Sequence, residues 1–309
     1  MSLPAHAFVL TAGLGTRLRP LTEVRAKAAM PVGGAPLIRR IVGWLAGHGV
    51  TDIVLNLHHL PETIAGVLGD GCDLGARVRY SWEHPLILGS AGGPRQALSI
   101  VGAETFLMVN GDVLTEVDLG ALYDAHVASG ALVTMALVPN HDPHRYGGVQ
   151  LDADQSVIGF PSPGSAADRS YLFVGVQVVH ADVFRPLSIG QAAQSVRGVY
   201  DERMAARPGS IRGFVSDASF WDIGTVSDYW RTSWSLAAHG APVGERVHID
   251  PTARVSRSIL WDDIDVSSDC VLDECIVTDG VSLRAGARFH RTILTRASDG
   301  TNQTFPLLT

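Results

Sequence analysis

The sequence predicts an α/β fold, a mostly parallel sheet flanked by helices, followed by a short parallel β-helix. Two observations carry that prediction. Over residues 1 to about 136, apolar or β-branched runs of strand length alternate with segments of helical spacing, the pattern of parallel strands joined by crossover helices. Beyond residue 245, small apolar clusters recur in step about every 17 residues, the short period a β-solenoid needs.

In chain order, the strand runs are 7–10, Asp52–Leu57, 78–82, 106–109 and 131–137, and the helical segments between them are Leu37–Gly47, 62–68, 95–100 and Leu119–Ser129. Residues 140–225 are more irregular, with strands at 148–151, 171–179 and Ile211–Val215 and a helix near 191–206. A last helix at 226–238 starts at Thr225, with Asp228 as its capping-box-like partner, and 240–244 reads as a linker. The tail repeats at 253–255, 270–272 and 287–289, and again at 258–260, 275–277 and 292–294. Each coil offers one apolar edge to its neighbour, and about three coils is near the minimum for stability. The expected domains are 1–239, divided near 136, and 245–300.

Composition narrows the function classes. The 309 residues are 46% hydrophobic and 18% charged with net charge −7, and no basic cluster marks a nucleic-acid surface. Cys72, Cys270 and Cys275 have neither CxxC spacing nor an even count, which speaks against a disulfide framework or a zinc site. The N-terminus reads as a strand and not a signal peptide, and no apolar run approaches the roughly 20 residues of a membrane helix. The expectation is a soluble cytoplasmic protein with no nucleic-acid or membrane partner.

Residues 10–22 read Leu-Thr-Ala-Gly-Leu-Gly-Thr-Arg-Leu-Arg-Pro-Leu-Thr, directly after the first strand. Gly13 and Gly15 permit positive φ and close backbone approach, so that successive N–H groups can cradle phosphate oxygens. Arg17 stands where a guanidinium can grip the same phosphates. A dinucleotide fingerprint is disfavoured by Leu18 and Pro20, and the Gly-Lys-Ser/Thr of a P-loop is absent. A purely structural glycine turn stays open at this point.

Asn110-Gly111-Asp112 could be a hairpin turn, but the helical pattern that follows from about Val117 instead places Asp112 at the carboxyl end of a parallel strand, where open α/β sheets bind ligands. Asp222 lies in Phe-Trp-Asp-Ile-Gly-Thr at 220–225, with Thr225 taking the helix cap. Near a triphosphate, a carboxylate placed like that of Asp112 is a natural hard-oxygen ligand for Mg²⁺. His58, His59, His141 and His144 read as polar loop residues, and Trp221 and Trp230 as packing residues.

The run from Gly13 to Pro36, including Lys27-Ala-Ala-Met-Pro-Val-Gly-Gly-Ala-Pro-Leu-Ile38, resembles the opening signature of the sugar-1-phosphate nucleotidylyltransferases. The resemblance extends to about residue 238, and the tail is similar to the left-handed β-helix appended in many mannose-1-phosphate guanylyltransferases. It implies a Rossmann-like sheet, with a nucleotide half to about 136 and a sugar-phosphate half to 239. Arg17 and Lys27 are implied as catalytic groups binding the nucleoside triphosphate, with Ala12, Gly13, Gly15, Thr16, Gly89 and Ser90 around the nucleotide. Glu83, Gly147 and Gly175 are implied at the sugar, and Asp112 and Asp222 as Mg²⁺ ligands.

The chain departs from the family pattern at three places. Ala28 stands where Pro is usual, and Phe173-Val174 precedes the matching Gly175. Ser162-Pro163-Gly164 replaces the Glu-Lys-Pro that holds the sugar and its phosphate, so Arg145 or Arg169 becomes the candidate replacement cation. The implied partners are a nucleoside triphosphate and a sugar 1-phosphate, with GTP and a mannose- or heptose-type sugar favoured by the tail. A homo-oligomer built through the repeats is also implied. The alternatives are a uridylyl- or thymidylyltransferase, or a regulatory paralogue that binds nucleotide sugar without making it.

Overall fold

The structure is a computed structural model and describes residues 3–237 and 242–307. Ala238, the boundary at 239 and linker residues 240–241 lie outside the described residues. The chain divides into two units. The first comprises Met1–Gly13, Ile41–Pro61 and Leu68–Phe220, and the second Leu14–Arg40, Glu62–Val67 and Trp221–Thr309. The division does not coincide with one at 239, since the second unit joins the loop after Gly13 to the tail.

The first unit is built on a seven-stranded sheet. Its strands are β1 (His6–Leu10), β2 (Asp52–Leu57), β3 (Arg77–Trp82), β4 (Thr105–Asn110), β5 (Val133–Pro139), β6 (Tyr171–His180) and β7 (Ile211–Val215). They lie in the order β7-β5-β6-β4-β1-β2-β3. All run parallel except β6, which is antiparallel to β4 on one side and β5 on the other. Phe8, Val54, Phe106, Met108 and Met135 are buried in its core. Strands covered on both faces read as continuous apolar runs, which is why they were legible without alternation.

The helices are α1 (Leu37–Gly47), α2 (Pro61–Leu68), α3 (Gly89–Val101), α4 (Leu119–Ser129), α5 (Tyr200–Ala206) and α6 (Val226–Ser235). Helix α3 packs on β1, β2 and β3, and α4 on β5 and β6. Two expected helices change. Helix α3 starts at Gly89 and not at 95, because the Ala91 and Gly92 amides donate to Ala193 O at 2.9 and 3.3 Å, supplying the acceptor that a first turn lacks. The helix near 191–206 contracts to α5, because Val196, Arg197 and Gly198 take non-helical angles. The strand at 148–151 contracts to Gln150–Leu151. Helix α6 begins as expected: Thr225 Oγ1 accepts from the Asp228 amide at 3.2 Å and donates to Asp228 Oδ2 at 2.7 Å.

In the second unit the tail winds into a parallel β-helix with three ladders. His248–Ile249, Asp265–Val266 and Ser282–Leu283 form one, and Arg254–Ser256, Val271–Asp273 and Arg288–His290 the next. Ile259–Leu260, Ile276–Val277 and Thr292–Arg296 form the third. Partners such as Ile259↔Ile276↔Ile293 keep the repeat in register, and those three isoleucines, with Leu272 and Leu283, are buried. Asn302–Pro306 folds back antiparallel on Thr292–Arg296, closing an edge that would otherwise template another strand. Among the described residues, no helix is long and apolar enough to cross a membrane.

Candidate functional site

In the first unit, the carboxyl ends of β1, β2 and β4 and the loop after β3 are joined by one polar network. The Thr11 amide donates to Asn56 Oδ1 at 2.6 Å, and Asn56 Nδ2 donates to Glu83 Oε1 at 2.7 Å. Glu83 Oε2 accepts from the Leu88 amide at 2.6 Å. The Gly111 amide donates to Leu10 O at 2.9 Å. A Cβ on Gly111 would lie 2.6 Å from that oxygen, so glycine is required for the ends of β1 and β4 to meet. Asn110-Gly111 is therefore a close-approach site and not a hairpin, and half-buried Asp112 follows it. Beyond it, Thr115 Oγ1 and the Glu116 amide donate to Ser219 O at 2.9 and 3.0 Å, and Ser219 precedes Asp222 by three residues.

The structure gives Glu83, Gly175, Gly89 and Ser90 partners within the chain at this end of the sheet. Glu83 is 2% exposed with one protein donor on each carboxylate oxygen, so it braces the loop before α3. Gly175 (φ 77) sits where a Cβ would come within 3.0 Å of Asn110 Cβ. Its glycine serves the approach of β6 to the end of β4. Gly89 and Ser90 are engaged by the chain itself: a Cβ on Gly89 would lie 2.7 Å from Ala193 O, and Ser90 Oγ bonds Gln194 Oε1 and Ser195 Oγ at 3.0 and 2.9 Å.

The loop continues in the second unit. Gly15 adopts φ 60, and a Cβ there would meet Thr22 Cγ2 at 2.7 Å and Lys27 Cβ at 3.4 Å. Thr22 Oγ1 donates to Gly15 O at 3.0 Å. The loop is thus folded back so that Gly15, Thr22 and Lys27 are neighbours, and only Gly15 needs the left-handed region. Gly13 has no positive φ, and a Cβ there would meet no described atom within 4 Å. The single turn Thr16–Leu18 buries Leu18 and leaves Thr16 and Arg17 exposed, while Ala12, before it, is buried. A Cβ on Gly224 would lie 3.0 Å from Asp222 Oδ2 and 3.5 Å from Arg17 Nη1. Arg17 and half-buried Asp222 therefore face the same small space over Gly224, although 204 intervening residues separate them.

A cation other than Arg145 and Arg169 stands beside the segment 160–163. A Cβ on Gly147 would lie 2.8 Å from Pro161 O, 3.4 Å from Arg197 Nη2 and 3.5 Å from Pro163 Cδ. Arg197 Nε also donates to Phe160 O at 3.1 Å. Its exposed guanidinium thus stands beside Gly147 and the segment that lacks the lysine, carried there by a positive φ of 57. Arg145 instead lays its guanidinium 4.8 Å from the centre of the Tyr146 ring. Arg169 is exposed, also at positive φ. The only signal for Arg197 in the sequence was its adjoining glycine.

A cluster of Glu104, His180 and Asp182 has ligand atoms within 4.8 Å of one another. It lies at the amino end of β4, away from the polar network, and Arg185 pairs both carboxylates, with 2.5 Å to Glu104 Oε1.

A family model described as nucleotidyl transferase matches residues 6–238. Mannose-1-phosphate guanylyltransferase of Mycobacterium tuberculosis is 30% identical over 300 residues, covering 92% of this chain and 83% of that protein. N-acetylmuramate alpha-1-phosphate uridylyltransferase of Neisseria meningitidis is 34% identical over 230 residues, covering 71% of this chain and 93% of that protein. The crystal structure of HddC from Yersinia pseudotuberculosis complexed with GMP-PN matches with a TM-score of 0.64 at 22% identity, covering 74% of this chain and 98% of that one, a likeness of fold.

Proposed function

The chain belongs to the nucleotidyl transferase family, and from that premise we propose that it joins a nucleoside triphosphate to a sugar 1-phosphate, with GTP and a mannose- or heptose-type sugar preferred. The observation that supports the preference is that the match to the mycobacterial guanylyltransferase covers 92% of this chain. The uridylyltransferase match is higher in identity but covers 71% of this chain, and it favours UTP as the second reading. A cytoplasmic setting fits this reading.

In the proposed reaction, a sugar-phosphate oxygen attacks the α-phosphorus. The bond from that phosphorus to the bridging oxygen of the β-phosphate breaks, and pyrophosphate leaves. A phosphate monoester loses its second proton near pKa ~6, so the nucleophile is already anionic and needs no general base. Repulsion between anions and the charge on the departing pyrophosphate set the barrier, and fixed cations lower it by electrostatic preorganisation. Arg17 supplies a forked donor to phosphate oxygens, and Lys27 a point charge beside the Gly15 turn. The half-buried carboxylates of Asp112, in the first unit, and Asp222, in the second, are each hard oxygen donors, and each would offer a ligand to Mg²⁺. When bound, that ion supplies positive charge to the phosphate oxygens.

Arg197 takes the sugar phosphate in this reading, which answers the loss of Glu-Lys-Pro and counts against an inactive regulatory paralogue. Losing a charge-assisted hydrogen bond costs about 1.5–3 kcal/mol. Arg197→Ala should therefore raise KM for the sugar phosphate at least about tenfold and leave KM for the nucleotide unchanged. Arg145→Ala and Arg169→Ala should leave both constants alone, and a rise in either, with Arg197→Ala silent, would reverse the assignment. The function itself is tested by pyrophosphate release over GTP, UTP and dTTP, each paired with mannose, heptose, glucose and N-acetylmuramate 1-phosphates. GTP with a mannose-type sugar should be fastest.

A further inference from the structure

Two residues before Lys27, Arg25 is 9% exposed and is held by the tail through Nε and Nη2, while its buried Nη1 has no hydrogen-bond partner among the described residues. Its Nε donates to Asp279 Oδ2 at 2.5 Å, and its Nη2 to Asp279 Oδ1 and Asp262 Oδ2 at 2.7 and 2.6 Å. Its Cζ lies 5.6 Å from the centre of the buried Trp261 ring. Trp261 Nε1 donates to the Tyr229 hydroxyl at 2.8 Å, which donates to Pro31 O at 2.8 Å. Both ends of the segment 25–31 are therefore held by the tail, directly at Arg25 and through Tyr229 at Pro31. Asp262 and Asp279 occupy the same place in successive coils, and the Asp262 amide donates to Asp279 Oδ1 at 3.1 Å. All these residues belong to the second unit.

This arrangement is more than an apolar seam would need. Burial pushes the Asp279 carboxyl above its ordinary range, because desolvation outweighs the help it receives from Arg25; burial also pulls the Arg25 pKa down, but the two carboxylates together more than offset it and leave it raised. A buried ion cluster is weak evidence for stability and is best attested as a device that fixes register. The chain leaves Arg25 directly into the single turn Lys27–Ala29, where the Ala29 amide donates to Ala26 O at 2.8 Å. A forked guanidinium held by two carboxylates sets both the position and the rotation of the backbone leading into Lys27.

We propose that the β-helix is a template for the nucleotide loop, with Arg25, Asp262 and Asp279 as positioning residues that set Lys27 for the triphosphate. The proposal rests on the nucleotidyl-transfer reading for the role of Lys27, and its test separates the two. Arg25→Lys, Asp262→Asn and Asp279→Asn are made in the full chain. Steady-state constants for both substrates are measured, with amide hydrogen exchange over residues 15–31. Asp279→Asn should raise KM for the nucleotide about tenfold or more, leave KM for the sugar phosphate within twofold, and speed exchange at Ala29 and Met30. Arg25→Lys, which keeps the charge and loses the fork, should fall between it and the unaltered protein.

If Asp279→Asn fails to fold, Asp262→Asn carries the test, since it leaves both bonds from Arg25 to Asp279. A folded variant with a lower melting temperature but unchanged nucleotide KM and unchanged exchange makes the cluster a structural staple and overturns the proposal, leaving nucleotidyl transfer intact. Absence of turnover in the unaltered protein removes the nucleotidyl-transfer reading instead. The exchange data then decide alone whether the tail orders the loop.

Discussion

Asp112→Asn and Asp222→Asn should each lower kcat by about 10³-fold or more, with circular dichroism and melting temperature close to those of the unaltered protein. Asparagine keeps the shape and one oxygen of the side chain but removes the charge on which a hard cation depends. The folds around both positions are set by other groups. Glycine at 111 allows β1 and β4 to meet, with Thr115 and Glu116 tied to Ser219 beyond it, while Thr225 and Asp228 start α6 without Asp222. The two variants should nonetheless differ. Asp222 shares the space over Gly224 with Arg17, so its loss should also weaken nucleotide binding. Raising Mg²⁺ should recover part of the rate in both. A variant that turns over like the unaltered protein ceases to be a candidate ligand.

Removing Arg17 or Lys27 should cost about 10²- to 10³-fold in kcat/KM for the nucleotide, the scale of a preorganised donor lost from a developing charge. Because Arg17 is exposed on a turn whose buried anchor is Leu18, Arg17→Ala should leave stability within about 0.5 kcal/mol, which isolates the chemical effect. Arg17→Lys should recover only part of the activity, since an ammonium cannot make a bidentate grip. Lys27 is packed closer, 3.4 Å from a Cβ position on Gly15, so Lys27→Met, which preserves the stem, is the cleaner variant. Steady-state kinetics with the nucleotide varied and the sugar phosphate saturating would show the loss. A loss confined to the sugar-phosphate KM would place these cations elsewhere.

Much of the fold was legible because its signals are local. Continuous apolar runs marked β2 and β4, Thr225 and Asp228 marked the start of α6, and the 17-residue spacing of Ile259, Ile276 and Ile293 gave the ladder register of the tail. The start of α3 was hidden by Gly89-Ser90-Ala91-Gly92-Gly93, a poor helix former whose first turn is satisfied from Ala193, a hundred residues downstream. At the candidate site, local backbone was legible where a residue type and a motif coincided, as at Gly15 with its positive φ. It was not legible where distant segments meet. Arg197 reaches Gly147 only through a left-handed backbone turn, and Arg25 meets Asp279 across 254 residues. Glu83 shows the converse. Resemblance alone points to it in the sequence, and nothing local shows that the Leu88 amide and Asn56 hold both of its oxygens in the fold.

The most direct test of nucleotidyl transfer is the stoichiometry of pyrophosphate and nucleotide sugar formed from GTP and mannose 1-phosphate, with Mg²⁺ and then with excess chelator. Equal amounts of the two products are expected with the metal, and neither once it is removed. Pyrophosphate or nucleotide-sugar formation that survives the chelator would contradict the metal assignment. No product from any nucleotide and sugar phosphate in the presence of Mg²⁺ would contradict the function itself.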